Sequence, residues 1–266
     1  MKIFRKLAYY AYSIFEIVWN IKNWIMLTPL LLGKKTEGEH TVRLRQPPVR
    51  LLVRSGMDVW AVKETFLDAF YTQYGVNIQN GWTVMDIGAA FGDFSIFAAY
   101  GNPQTVIYAF EPFPDSYALL IKNLAMNAID NVIAFQEAVW CRCGGLALDV
   151  SEGEPLKVVS KDADAVMEKD DTVIIEALTL KHFLDRQGLE KVDLLKLDCE
   201  GAEYEILIEA PSALSKIDRI IMEYHDLDAE KNHQRLISFL EGEGYTVVHY
   251  PNIVHDAIGY LYAERP

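Results

Sequence analysis

Cysteine is scarce in this sequence: Cys141, Cys143 and Cys199 are the only three in 266 residues. Three irregularly spaced thiols do not make a disulfide framework, and their scarcity fits a reducing compartment. The C-x-C pair, Cys141 and Cys143, falls short of the four ligands that a structural zinc takes. Positive charge is also short. Against 38 Asp and Glu there are 25 Lys and Arg, a formal net charge of −13, which argues against nucleic acid as the main partner because phosphate binding needs clustered cations. No internal repeat is visible, and no apolar run of spanning length is free of polar residues. The most apolar stretch, MKIFRKLAYYAYSIFEIVWNIKNWIMLTPLLLGKK, carries Glu16, Asn20, Lys22 and Asn23 in its middle, which compromises a transmembrane span. It is also long and aromatic and lacks a small-x-small cleavage site, which argues against a cleaved signal peptide.

Apolar residues make up 51% of the chain, enough for a sizeable core, and the length suits one medium domain with an appendage. In the apolar N-terminal stretch, Lys2, Lys6, Ser13, Glu16, Asn20 and Asn23 recur at steps of three, four or seven. This gathers them on one narrow stripe of a helix whose remaining surface is apolar and aromatic. Pro29 predicts an end to that helix near Leu27 or Thr28. Four placements stay open: residues 1–32 lying in a membrane interface, packing on the rest of the chain, packing on a second copy as a homo-oligomer, or, least favoured, a true span. The expected division is a helix over residues 1–40 and a domain over 41–266. The expected location is cytoplasmic, at the inner face of a membrane under the first placement.

From residue 80 onward strands and helices alternate. Strands are predicted at 83–87, 105–110, 132–139, 192–197 and 217–223, with helices at 91–100, 116–128, 179–187, 202–208 and 229–242. The helix at 116–128 is expected to bury Tyr117, Leu120, Ile121 and Leu124. Residues 141–172 break the rhythm and read as an insertion with two short strands. The final runs, 245–250 and 258–263, are too closely connected for a parallel crossover and predict an antiparallel hairpin. The fold class is therefore α/β: a mostly parallel sheet with helices on both faces and a C-terminal antiparallel hairpin. Residues 41–80 read as a strand or two leading into a helix over that sheet.

The segment TVMDIGAAFGDFS (83–95) places Asp86, Gly88, Ala89, Ala90 and Gly92 at the carboxyl end of the first strand, where doubly wound sheets bind ligands. Gly88 and Gly92 allow close backbone approach, and the following helix offers free N–H groups. The next strand ends in Glu111, positioned to accept hydrogen bonds from a ribose diol. A dinucleotide fingerprint needs a middle glycine, and Ala90 stands in this region instead. Asp86 would also repel a pyrophosphate while suiting the amino group of S-adenosylmethionine (SAM). The electrostatics therefore favour SAM over NAD. A second segment, VDLLKLDCEGAEYEIL (192–207), delivers Lys196, Asp198 and Glu200 to a strand end before Gly201 opens a helix. The following strand ends in Glu223-Tyr224-His225-Asp226. If these strands are neighbours, Asp198, Glu200, Glu223 and His225 converge. Asp198 or His225 is then a candidate base for methyl transfer to an alcohol, and the carboxylates are alternatively ligands for Mg²⁺. Asp198 and Glu200 would also suit a plain helix start, and His225 a solvated strand end.

Together VMDIGAAFGDFS, YAFEPFPDSYALLIKNLAMN, LTLKHFLD, VDLLKLDCEGAEYEIL and IDRIIMEYHD resemble the FkbM family of SAM-dependent methyltransferases, in order over about residues 58–226. The resemblance implies the class I, Rossmann-like methyltransferase fold with its seven-stranded sheet. It implies SAM as cofactor, and O-methylation of a sugar, lipid-linked or natural-product hydroxyl. By the same resemblance Asp86, Gly88, Gly92 and Glu111 match cofactor positions, and Asp198, Glu200 and Gly201 match the acidic motif. Ala90 stands where the family usually has Asn. The expected partner is a small or glycan-like acceptor. The rivals are an NAD(P) oxidoreductase and a non-catalytic protein that keeps the fold.

Overall fold

The computed structural model describes residues 2–34, 38–73, 76–149, 157–160 and 172–266. In chain order, α1 (Lys2–Asn20) and α2 (Trp24–Leu31) precede the antiparallel pair β1 (His40–Arg43) and β2 (Arg50–Val53), then α3 (Gly56–Phe66). The alternating region supplies β3 (Thr83–Ile87), α4 (Asp93–Ala99), β4 (Val106–Phe110), α5 (Pro114–Met126) and β5 (Val132–Phe135). Next come β6 (Ala138–Val139), β7 (Gly144–Asp149), β8 (Lys157–Ser160), β9 (Thr172–Leu178) and α6 (Leu180–Gln187). The chain continues with β10 (Leu194–Leu197), α7 (Glu203–Ile208), α8 (Pro211–Leu214) and β11 (Arg219–His225). It closes with α9 (His233–Gly242), β12 (Thr246–Pro251) and β13 (Ile258–Glu264).

The main sheet has seven strands in the order β12-β13-β11-β10-β3-β4-β5. β5, β4, β3, β10 and β11 run parallel, and β13 lies antiparallel between β11 and β12. This is the mostly parallel, helix-covered class I methyltransferase architecture with its C-terminal antiparallel hairpin. Strand alternation serves both faces. Met85, Ile87, Leu195 and Leu197 pack toward α6–α9, whereas Val84, Ile107, Leu194 and Ile221 pack toward α4 on the other face. The chain winds outward from β3 through β4 and β5, then returns to β10 on the other side of β3. That reversal opens a crevice at the carboxyl ends of β3 and β10.

Several element boundaries differ from the sequence expectation. The run 132–139 breaks after Phe135, and Ala138–Val139 joins a separate four-stranded sheet of order β6-β9-β7-β8. The insertion thus supplies β7 and β8, and pairs further with β9, which runs on to Leu178. Its acidic run, residues 161–171, lies outside the described residues. On α5, Leu120 and Leu124 are buried as expected, but Leu119 and Asn123 complete the buried face and Ile121 is exposed. Asn123 belongs inside because its amide nitrogen donates to Phe91 O and Leu52 O while its oxygen accepts from Leu52 N, at 2.9, 3.1 and 2.6 Å.

The N-terminal segment departs most. α1 stops at Asn20, Ile21 bridges to Leu44, and Pro29 sits inside α2 rather than ending a helix before it. Proline there leaves the Ile25 carbonyl without its helical donor, and Thr28 Oγ1 donates to that oxygen at 2.6 Å. α1 packs inward through Ser13 and Ile17, while Phe4, Leu7, Ile14, Phe15 and Trp19 are exposed. Tyr9 and buried Lys63 both reach Asp68, which fastens α1 to α3. Among the described residues no helix is long and apolar enough to cross a membrane.

Candidate active site

The turn after β3 is held by backbone geometry. Gly88 has φ +77°, and a Cβ there would lie 1.9 Å from the carbonyl oxygen of Asp198. A glycine is required both for the left-handed conformation and for the close approach of β3 to β10. The N–H groups of Gly88 and Ala89 donate to Phe110 O at 3.1 and 2.9 Å, tying the turn to β4. Ala90 also has positive φ, +45°, an uncommon conformation for a residue with a side chain. Its N–H donates to Glu111 Oε2 at 2.8 Å, and Phe113 N–H donates to Glu111 Oε1 at 2.8 Å. The carboxylate ending β4 is thereby fixed from two sides.

A pocket opens over these strand ends. Gly88, Ala90 and Glu111 line it, with an apolar wall that includes Phe110, Val139, Leu146 and Leu148. Its charged lining residues are Glu111, Glu137, Asp198 and Glu200, and no Lys or Arg is among the described lining residues. Asp86, Ala89 and Gly92 stand behind this lining. Asp86 is fully buried, accepts from Ser95 Oγ at 2.6 Å and lies 3.0 Å from Lys196 Nζ. Lys196 Nζ in turn donates to Gly88 O at 2.7 Å. Burial pulls the Lys196 ammonium down, but Asp86, Asp198 and Asp93 outweigh it and hold the ammonium above its ordinary value. Asp86 therefore meets an internal cation rather than facing the pocket. Gly92 packs against Leu120 and caps α4.

The acidic residues do gather. In the parallel register Leu197 pairs with Met222, which brings Asp198 level with Glu223. Asp198 Oδ2 accepts from Tyr71 OH at 2.9 Å. Glu200, in the left-handed region at φ +53°, lies 3.4 Å from His225 Nε2, and Glu203 lies 3.6 Å from His225 Nδ1. Burial pulls the His225 imidazole down, but Glu203, Asp198 and Glu200 override it and raise it to about 9. Burial, reinforced by Asp198, holds Glu223 well above the carboxylate range. Among the described residues no group of three His, Cys, Asp or Glu is arranged to hold a metal ion.

Three members of this neighbourhood carry no motif in the sequence. Tyr71 and Tyr260 pack edge to face at 6.2 Å. Glu64, on α3, accepts from Trp60 Nε1 at 2.9 Å, and burial, opposed by that bond and by Lys63, pushes its carboxyl up to about 7. The charge of Asp198 adds to this rise. The i, i+4 pair Trp60–Glu64 is the one local signal, and it reads as ordinary helix surface until α3 is placed over the sheet.

The chain is 25% identical over 234 residues to the 31-O-demethyl-FK506 methyltransferase FkbM of Streptomyces tacrolimicus, covering 78% of this chain and 89% of that one. It is 24% identical to the 2-O-methyltransferase NoeI of Sinorhizobium fredii, covering 59% and 69%. The structure of a methyltransferase FkbM from Methylobacillus flagellatus KT superposes with a TM-score of 0.50 at 13% identity, over 73% of this chain and 46% of that one. The low identity makes it a likeness of fold. With the Methyltransferase FkbM domain model matching residues 86–247, the chain belongs to the FkbM methyltransferase family.

Proposed function

We propose that this methyltransferase takes its methyl group from SAM and passes it to a hydroxyl oxygen of a small-molecule or glycan-like acceptor. The carrying observation is the charge of the pocket: among the described residues four carboxylates line it and no cation does. SAM brings a sulfonium and an ammonium, which such a pocket attracts, whereas the diphosphate of NAD would be repelled. In this reading Glu111 accepts from the ribose hydroxyls, Gly88 and Ala90 present backbone to the cofactor, and the apolar wall takes the adenine. Asp86, Ala89 and Gly92 hold the turn from behind. Bound SAM supplies an electrophilic methyl group. Asp198, oriented by Tyr71, accepts the proton of the acceptor hydroxyl. Glu200 flanks it, and His225, cationic at neutral pH, positions Glu200 and Glu203 rather than acting as a base. The names of two relatives, the 31-O-demethyl-FK506 methyltransferase and the 2-O-methyltransferase, support oxygen as the methylated atom.

Residues 41–266 are the methyltransferase unit here, and α1 and α2, within the N-terminal segment, wall its acceptor side. Peripheral contact of the exposed α1 face with the inner face of a membrane belongs to the same reading. Calorimetry with SAM and with NAD tests the cofactor. SAM should bind, NAD should not, and Glu111→Gln should weaken SAM about 10- to 100-fold, since a hydrogen bond to a charged group is worth about 1.5–3 kcal/mol. Asp198→Ala should lose transfer of labelled methyl to an acceptor extract while weakening SAM less than Glu111→Gln does. Tighter binding of NAD than SAM would end this reading.

A further inference from the structure

A second, larger cavity lies beside the acid cluster. It is a groove of about 1070 Å³ between α1, α2, the first turns of α3 and the turn joining β12 to β13. That volume is at or above the upper end of the range of about 300–1,000 Å³ for small-molecule sites. Glu64, Phe70 and Tyr260 line it. Tyr260 packs on Tyr71, and Tyr71 OH holds Asp198, so the groove's floor adjoins the proposed transfer site through two tyrosine rings. At its lip Ile14, Leu32, Met57 and Ile253 are exposed apolar side chains, continuous with the outward face of α1. Such a patch marks an interaction or ligand surface.

The polar atoms of the wall are largely committed to the protein. Thr28 Oγ1 bonds Ile25 O, Trp60 Nε1 bonds Glu64, Ser55 Oγ caps Asp58 N–H, and Asn252 Oδ1 accepts from Val254 and His255. A sugar needs several wall groups that can exchange hydrogen bonds with its hydroxyls, and most of this wall offers hydrocarbon instead. Charge is segregated too. Residues 2–34 carry Lys2, Arg5, Lys6, Lys22 and Lys34 against Glu16 alone, in a chain of net charge −13. The groove thus has an acidic inner end and lies beside a basic, apolar segment.

We propose, resting on the SAM reading above, that the methyl acceptor is an amphiphile: a hydroxyl-bearing headgroup on a long hydrocarbon chain. The headgroup lies at Glu64 and Tyr260 at the groove's inner end, its hydroxyl directed past Tyr71 toward Asp198, and the chain runs outward along the groove past Ile14 and Ile253. The same chain length that anchors the acceptor in a lipid phase then binds it to the enzyme.

The test uses the full chain with methyl, n-octyl, n-decyl and n-dodecyl β-D-glucopyranoside, each below its micelle-forming concentration. Binding is followed by the fluorescence of Trp24 and Trp60, which line the groove. Saturable one-to-one binding should tighten by about fourfold per added methylene as chain is buried. Ile14→Asp and Ile253→Asp, both at exposed positions, should flatten that dependence while leaving calorimetric SAM affinity unchanged. Equal affinity for the methyl and dodecyl glucosides, unsaturable uptake, or a chain-length dependence that survives both substitutions would overturn the proposal. So would a dimer in sedimentation that Ile14→Asp dissociates, because the groove would then be an interface between copies. Absence of SAM binding with chain-length dependence intact would instead strike the cofactor reading alone.

Discussion

His225 should be a cation at neutral pH, and its charge should be a measurable part of the protein's stability. Its ring closes β11 between Glu200 at 3.4 Å and Glu203 at 3.6 Å, with Asp198 and Glu223 also facing it. Burial alone would lower its pKa, and the carboxylates, Glu203 foremost, carry it instead to about 9. An unfolded histidine titrates near 6.5, so the difference of about 2.5 units corresponds to about 3.5 kcal/mol at about 1.4 kcal/mol per unit. The native state keeps a proton that the unfolded chain has released. The contribution is therefore complete below about pH 6.5 and is lost as pH rises through about 9. Glu64, pushed up to about 7, acts in the same direction but over a lower window, from about 4.5 to 7. Urea melts of the parent and of His225→Gln at pH 6 to 10 isolate the histidine: their difference should shrink by about 3 kcal/mol between pH 6.5 and 9. Titration of the His225 Cε1–H resonance gives the same quantity directly. A midpoint at or below 6.5 would refute the electrostatic account and return His225 to the candidate bases.

Two further substitutions probe the crevice from beneath. Gly88→Ala puts a methyl group 1.9 Å from Asp198 O at a φ of +77°. It should either abolish soluble expression or, in any folded fraction, remove SAM binding, and normal calorimetry would contradict the close-approach argument. Lys196→Met leaves Asp86 buried with Ser95 alone and should cost about 3–5 kcal/mol, a fall in Tm of roughly 10 °C. The double variant Lys196→Met/Asp86→Asn should recover part of that loss, and no recovery would mean that Asp86 is not the group left stranded.

The parts of this fold that sequence exposes are those with local causes. β3 and β10 read well because apolar strand runs stop at glycine or acidic turns. Thr179 and Asn232 cap α6 and α9 by accepting the N–H groups of His182 and Arg235. What stays hidden depends on distant partners. Asp86 looks like a ligand contact beside the glycine turn, and its neutralising Lys196 lies 110 residues away on β10. Glu64 and Tyr71 come from one stretch around α3 and Tyr260 from β13 nearly 200 residues later, and they meet only when α3 and β13 are laid on the sheet. The orientation of α1 is hidden for another reason. A helix apolar around most of its surface gives the same pattern whether its wide side faces a core, a groove or the outside, and here Ser13 and Ile17 mark the packed stripe.

β13 is paired on both sides, to β11 and to β12, with Glu223 opposite Tyr260 and Tyr250 opposite Tyr260 in register. A slip of one residue would turn Tyr260 to the other face, so the strand cannot drift. The turn leading into it, which helps form the lip of the groove, is under no such constraint and can change length or composition without disturbing the ladder. A change in that short loop would therefore reshape the lip of the groove while Tyr260 and Glu223 beside it stay in place.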